Sequence, residues 1–169
     1  MPQSLINDPV LYGECLSGAL YWGDYNTIAK DAGFIDPRVA EHRPLAILDP
    51  RQKEKLGDIR FASVTARLMK LENLDTACED YGQAVIYKGG IEGMEQKFEL
   101  DVEHHIEAGR VFPVCGNTLA MLKDTRFAPY FDVVGDGKTH FGLFPGCAAP
   151  DVFAEAVATG DPAPVGGCC

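Results

Sequence analysis

Apolar residues recur at helical spacing before Ile59 and in alternation after it, and this change of period sets the predicted order of elements. Residues 1–12, with Pro2 and Pro9 among polar neighbours, read as an irregular lead-in. Beyond Asp24, a capping residue, Tyr25, Ile28, Ala29 and Ala32 share one helical face, and Gly33 stops that helix. Asp36-Pro37 turns the chain. Val39 to Leu48 reads as extended, and its Pro44 suits an edge strand or two short pieces. Asp49 and Pro50 open another helix, as N-cap and first helical residue, and Gly57 closes it after Leu56.

In Ile59 to Leu68 one face carries Ile59, Phe61 and Ser63 and the other Ala62, Val64, Ala66 and Leu68, the pattern of a strand. Glu72 to Glu79 is expected as a loop or helical turn leading to Cys78. Gln83 to Lys88 and Lys97 to Val102 read as strands, with a turn at Gly89-Gly90. Arg110 to Val114 is a further strand, and its Pro113 marks an edge or a bulge. Cys115-Gly116-Asn117 makes a tight turn, and Asn117 is expected to cap a helix holding Leu119, Met121 and Leu122. Tyr130 to Val134 and Thr139 to Phe144 flank Gly135-Asp136-Gly137 as a predicted hairpin. The expected fold class is α+β, a mainly antiparallel sheet with a few short helices. From Pro145 the chain is rich in Ala, Pro and Gly and reads as a mobile tail. There is no internal repeat.

Composition narrows the function classes. At 169 residues and 46% hydrophobic, the chain suits one compact domain with a tail. A net charge of -10 argues against nucleic acid or an anionic membrane as partner, since both require a basic face. The N-terminus has no secretory signal pattern, and no apolar run approaches the ~20 residues of a membrane helix. The expectation is a soluble, cytoplasmic protein. A phosphate-cradling loop of the GxGxxG or GxxxxGK[ST] type is absent, and Gly135 to Thr139 lies between strands rather than before a helix.

The six cysteines, at 15, 78, 115, 147, 168 and 169, therefore carry the candidate chemistry. The chain is too core-rich to read as a disulfide scaffold, no CxxC pair exists, and in a cytosolic setting all six are expected reduced. Cys15 lies in GECLSGALYW, where Gly13 and Gly18 relieve an apolar stretch ending at the only Trp, Trp22; it reads either as a core group or as a soft ligand. Cys115 ends a strand just before a predicted helix N-terminus, a setting that favours thiolate, against a plain role as a small turn residue. Cys168 and Cys169 are vicinal thiols on the tail, where binding would cost the tail its freedom. His104 and His105, adjacent on an extended stretch, point to opposite faces and are expected in solvated or hydrogen-bonded roles. Asp75, Glu79 and Asp80 lack calcium-loop spacing and read as an acidic turn. Several reduced thiols suit a thiophilic ion better than oxygen ligands would.

DPVLYGECLSGALYW, the following helix ending in AGF and DPR, IRFASVTARLMKL, CEDYGQAVIYKG, GRVFPVCGNT, TRFAPYF and HFGLF together resemble the C-terminal half of arsenite S-adenosylmethionine methyltransferases. The resemblance covers roughly Asp8 to Cys147. It implies a domain whose thiolates hold trivalent arsenic while a preceding Rossmann-like domain presents S-adenosylmethionine. By this resemblance Cys15 matches the arsenic-ligating cysteine of the GEC motif. The second ligand lies on the strand matching Ile59 to Leu68, aligned here with Val64, so the thiol is missing; Cys78 or Cys115 is expected to replace it, with Cys78 preferred. Terminal vicinal cysteines such as Cys168-Cys169 also recur in that family.

The resemblance further implies that residues 1–48, including GECLSGALYW, are the residual C-terminal part of a methyltransferase domain. Residues 49–147 form an α+β arsenic-binding domain and 148–169 a flexible tail. S-adenosylmethionine would serve the complete enzyme without binding this chain alone, and no residue here is assigned a catalytic role. Expected partners are arsenite or glutathione-type arsenic thiolates and the methyl-donor domain. The competing readings are a stand-alone arsenic or soft-metal sequestering protein, a cysteine hydrolase using Cys115, and an α+β domain whose thiols are core groups. An apolar edge from Gly13 to Trp22 would favour self-association.

Overall fold

The computed structural model describes residues 1–147 and 149–154. The irregular lead-in is replaced by two short helices, α1 (Gln3–Ile6) and α2 (Pro9–Gly13). Asp8 caps α2 by accepting from the N–H of Val10 at 3.0 Å and of Leu11 at 3.1 Å, and Pro9 takes the first helical position. The proline thus starts a helix here because its missing N–H falls where none is needed. Next, α3 (Trp22–Asp31) begins from Tyr21 rather than Asp24, which lies in its first turn, and ends before Gly33 at φ 92°.

Strand β1 (Arg38–Leu45), helix α4 (Pro50–Leu56) and strand β2 (Phe61–Arg67) follow. Asp49 accepts from Arg51 N at 2.8 Å and Gly57 closes α4 at φ 58°, so that helix is set by its local caps. β1 and β2 form an antiparallel ribbon in which Pro44, opposite Ala62, is tolerated because a two-stranded sheet consists of edges.

The rest of the chain supplies β3 (Glu79–Asp80), β4 (Ala84–Tyr87), β5 (Lys97–Glu99), β6 (His105–Glu107), β7 (Val111–Pro113), α5 (Gly116–Lys123), β8 (Phe131–Val134) and β9 (Gly142–Leu143). β4 is the centre of a three-stranded antiparallel sheet ordered β7-β4-β8, while β5 pairs with β6 and β3 with β9, both antiparallel. Pro113 sits on an edge strand, as its missing donor requires. The expected α+β class with antiparallel pairing is what the chain adopts.

The hairpin across Gly135-Asp136-Gly137 does not form: β8 pairs with β4, and the segment beyond it runs to β3. Non-local burial decides this. Val85 and Tyr87 of β4 are fully buried, and β8 brings Phe131 beside Tyr87 at a ring separation of 5.1 Å. Gly135, at φ 98°, then passes the Gly82 carbonyl so closely that a Cβ would lie 2.8 Å from its oxygen.

The main core gathers Val85, Tyr87, Phe98, Leu100, Ile106, Val114, Met121, Leu122, Phe127 and Phe131, each buried large side chain contributing roughly 1.5–3 kcal/mol. A second cluster holds Leu11, Leu16, Leu56 and Phe61. β1 joins the two clusters: Val102 N donates to Val39 O at 2.9 Å, and Arg38 reaches Asp101 at 3.2 Å. Within GECLSGALYW, Leu16 and Ser17 are buried, whereas Cys15, Leu20 and Tyr21 face solvent. Among the described residues no helix is long and apolar enough to cross a membrane.

Candidate thiol site

Cys115 is the N-cap of α5. Its Sγ accepts from Thr118 N at 3.5 Å and lies 3.3 Å from Thr118 Oγ1, and the residue is fully buried. The sequence assigned that cap to Asn117, which instead ties α5 to the segments before β3 and β1: its Nδ2 donates to Asp75 O at 2.9 Å and to Asp36 Oδ2 at 3.0 Å. Pairing of β3 with β9 brings the two chain segments beyond them together, and Phe144 N donates to Cys78 O at 2.8 Å. Cys78 and Cys147 are consequently joined as a disulfide across a sequence separation of 69. This corrects the expectation of six reduced thiols, because a pairing made by non-local strand register leaves no mark in local spacing. The sulfurs of Cys78, Cys115 and Cys147 all lie within 4.8 Å of one another.

Behind Cys115 lies a buried ion network. Arg38 donates to Asp36 at 2.8 Å, to Asp101 at 3.2 Å and to Thr118 Oγ1 at 3.0 Å, and its Nη2 approaches Cys115 Sγ at 3.9 Å. Burial works to lower the Arg38 pKa, but Asp36, Cys115 and Asp101 outweigh it and raise it. For Asp101, burial works to raise the carboxyl; the His104 ring at 2.8 Å, the Glu103 N–H and Arg38 instead hold it at about 2. A cavity of about 470 Å³ opens beside this network, with Trp22, Arg38, His104, Phe112, Cys78 and Cys147 on its wall.

Cys15 stands apart from the three-sulfur group. It is exposed, and at φ 61° it is the only non-glycine residue with positive φ among those described. Leu16 N and Ser17 N both turn back to Leu11 O, at 2.9 and 3.2 Å, closing α2 with Cys15 in the left-handed position that glycine normally occupies. A side chain there costs on the order of 1 kcal/mol. The apolar setting expected for this thiol is thus not its environment; its neighbours Leu11 and Leu16 take the buried places.

Val64 lies half-buried on β2 and supplies no thiol. Cys168 and Cys169 lie outside the described residues. His104 faces Asp101 and His105 faces Glu99 at 3.5 Å, the divergent roles that alternation implied. The acidic turn expected at Asp75, Glu79 and Asp80 is instead largely strand: Glu79 and Asp80 form the half-buried β3, recruited by β9, where Glu79 pairs with His140 at 2.7 Å and Asp80 accepts from Gly82 N, while Asp75 N donates to Asn117 Oδ1 at 2.8 Å. The hydrolase reading lacks geometry: His104 Nε2 contacts Thr118 Oγ1 at 3.4 Å, so threonine stands between imidazole and a fully buried thiol. Sequence reasoning did not assign Cys147, Arg38, Asp101 or Thr118 to a site. Cys147 was visible only as one more thiol, and the others gave no local signal.

The family model described as arsenite methyltransferase C-terminal domain matches residues 81–169. An arsenite methyltransferase of Aquipseudomonas alcaligenes is 59% identical over 147 residues, covering 87% of this chain and 42% of that protein. The Homo sapiens arsenite methyltransferase is 31% identical over 186 residues, covering 100% of this chain and 48% of its own length. The crystal structure of CrArsM, an arsenic (III) S-adenosylmethionine methyltransferase from Chlamydomonas reinhardtii, superposes with a TM-score of 0.79 at 40% identity, covering 85% of this chain and 48% of that one. The chain therefore spans less than half the length of each of these relatives.

Proposed function

The chain belongs to the arsenite methyltransferase family, and from that premise we propose that it is the trivalent-arsenic-binding part of such an enzyme, with Cys15 as its open arsenic ligand. The observation that carries this reading is the exposed thiol of Cys15 in a left-handed backbone position, a strain that glycine would relieve. Of its two expected partner ligands, Cys78 is tied to Cys147 and Cys115 is buried. Small thiols would then complete the coordination, so that arsenite arrives as a glutathione-type conjugate.

Loading is an exchange at arsenic. The Cys15 thiol gives up its proton as its sulfur forms an As–S bond, one small thiolate leaves and takes up that proton, and arsenic stays trivalent with its lone pair unused. S-adenosylmethionine, held by a donor domain, would supply an electrophilic methyl group. No residue of this chain is assigned to that donor.

The test is alkylation of the full chain with and without one equivalent of arsenite plus glutathione, read cysteine by cysteine by mass spectrometry. Protection of Cys15 is expected, together with loss of that bound equivalent in Cys15→Ser. Equal labelling of Cys15 in both conditions would overturn the assignment.

A further inference from the structure

We propose that Cys78, Cys115 and Cys147 form a second site for a thiophilic ion, closed in the disulfide state and opened by two-electron reduction. The inference takes its ion from the function proposed above but does not depend on Cys15. Its basis is the meeting of three sulfurs within 4.8 Å, delivered by the loop before β3, the N-cap of α5 and the segment after β9. The group contains no carboxylate or imidazole, so its donor chemistry favours soft ions over hard ones.

Access and charge fit the same reading. Cys147 is exposed, Cys78 half-buried and Cys115 buried, and the first two line the 470 Å³ cavity, so an ion entering there meets two sulfurs before the third. The Arg38 guanidinium at 3.9 Å offers positive charge to the innermost sulfur. The residue choice at Cys115 also points to a ligand. Ser, Thr, Asp and Asn cap helices better than Cys, so a position needed only for capping would be better served by a hydroxyl or carboxylate.

The chemistry balances in two steps. An external dithiol or phosphine delivers two electrons, two protons are taken up, the S–S bond breaks, and Cys78 and Cys147 become thiols. Arsenous acid then exchanges three As–O bonds for three As–S bonds: each thiol proton leaves with a hydroxide, three waters are released, and arsenic remains trivalent. Without the first step only the buried Cys115 remains as a thiol, and the site stays shut.

The experiment uses the full chain carrying Cys15→Ser, Cys168→Ser and Cys169→Ser, so the outcome is independent of the Cys15 assignment. Arsenite is titrated before and after phosphine reduction, and arsenic X-ray absorption counts the sulfur neighbours. The expected result is no binding before reduction and one equivalent after it, bound by three sulfurs and no oxygen. Adding Cys115→Ser, which keeps a capable N-cap and the disulfide pair, should replace one sulfur by oxygen and weaken binding at least tenfold. Adding Cys147→Ser, at an exposed position, should do the same with unchanged circular dichroism. Two sulfurs plus an oxygen in the reduced background protein, no binding after reduction, or equal binding before and after it would each overturn the proposal.

Discussion

Reducing the Cys78–Cys147 disulfide should destabilise the fold measurably, and the size of the loss follows from the chain it encloses. The bond closes a loop of sequence separation 69, for which loop entropy gives a ceiling of about 4 kcal/mol at 25 °C, while natural disulfides commonly contribute about 2–4 kcal/mol. The far end is also held by Phe144 N donating to Cys78 O at 2.8 Å, by the Glu79–His140 pair at 2.7 Å and by the buried Val152, which keeps the loss within that range although β9 itself is only two residues long. For a chain of this size each kcal/mol moves the melting point by about 2–4 °C, so full reduction should lower Tm by about 5–15 °C. Circular dichroism melts with and without a phosphine, with thiol counting to prove that reduction is complete, measure the shift. Cys147→Ser should melt with the reduced protein. One equivalent of arsenite added to the reduced protein should recover part of the loss by tying the same segments again. Coincident melting of oxidised and fully reduced protein would refute the reasoning, because the loop would then be held without the bond.

Other substitutions probe the frame around the thiols. Asp101 has a depressed folded pKa of about 2 against an ordinary 3.8, so its stabilisation is present above pH 4 and is lost as pH falls through 2; that loss is about 2 kcal/mol, and urea titrations of Asp101→Asn across this window should lack it. Arg38→Met leaves Asp101 buried without its guanidinium and should cost about 3–5 kcal/mol in chemical denaturation, whereas a loss below 1 kcal/mol would show that the network is dispensable. Gly135→Ala combines φ 98° with a Cβ at 2.8 Å from Gly82 O and should lower the urea midpoint by the equivalent of about 1–3 kcal/mol. Cys15→Gly should fold at least as stably as the parent by thermal melting, since glycine takes φ 61° freely, while losing the arsenite equivalent assigned to Cys15.

Local chemistry determined what local chemistry can reach. Asp49, Pro50 and Gly57 define α4 by capping alone, the alternation from Phe61 to Ala66 marks β2, and Pro113 places β7 on an edge, each within a few residues. The motifs GECLSGALYW and CEDYGQ were enough to suggest the family, because they are runs of residues rather than contacts. Strand partnership was out of reach: the turn at Gly135-Asp136-Gly137 suits a hairpin, yet the buried face of β4 recruits β8, and β9 travels to β3. That single register choice joins Cys78 to Cys147 and sets both beside Cys115. Burial was equally hidden at Cys15, where Leu11 and Leu16 turn inward and a left-handed backbone accompanies an exposed thiol. The sequence by itself thus named the reactive groups and the short elements that carry them. Only the tertiary structure decided which sulfurs meet, because that depends on which strands bury their apolar faces together across the chain.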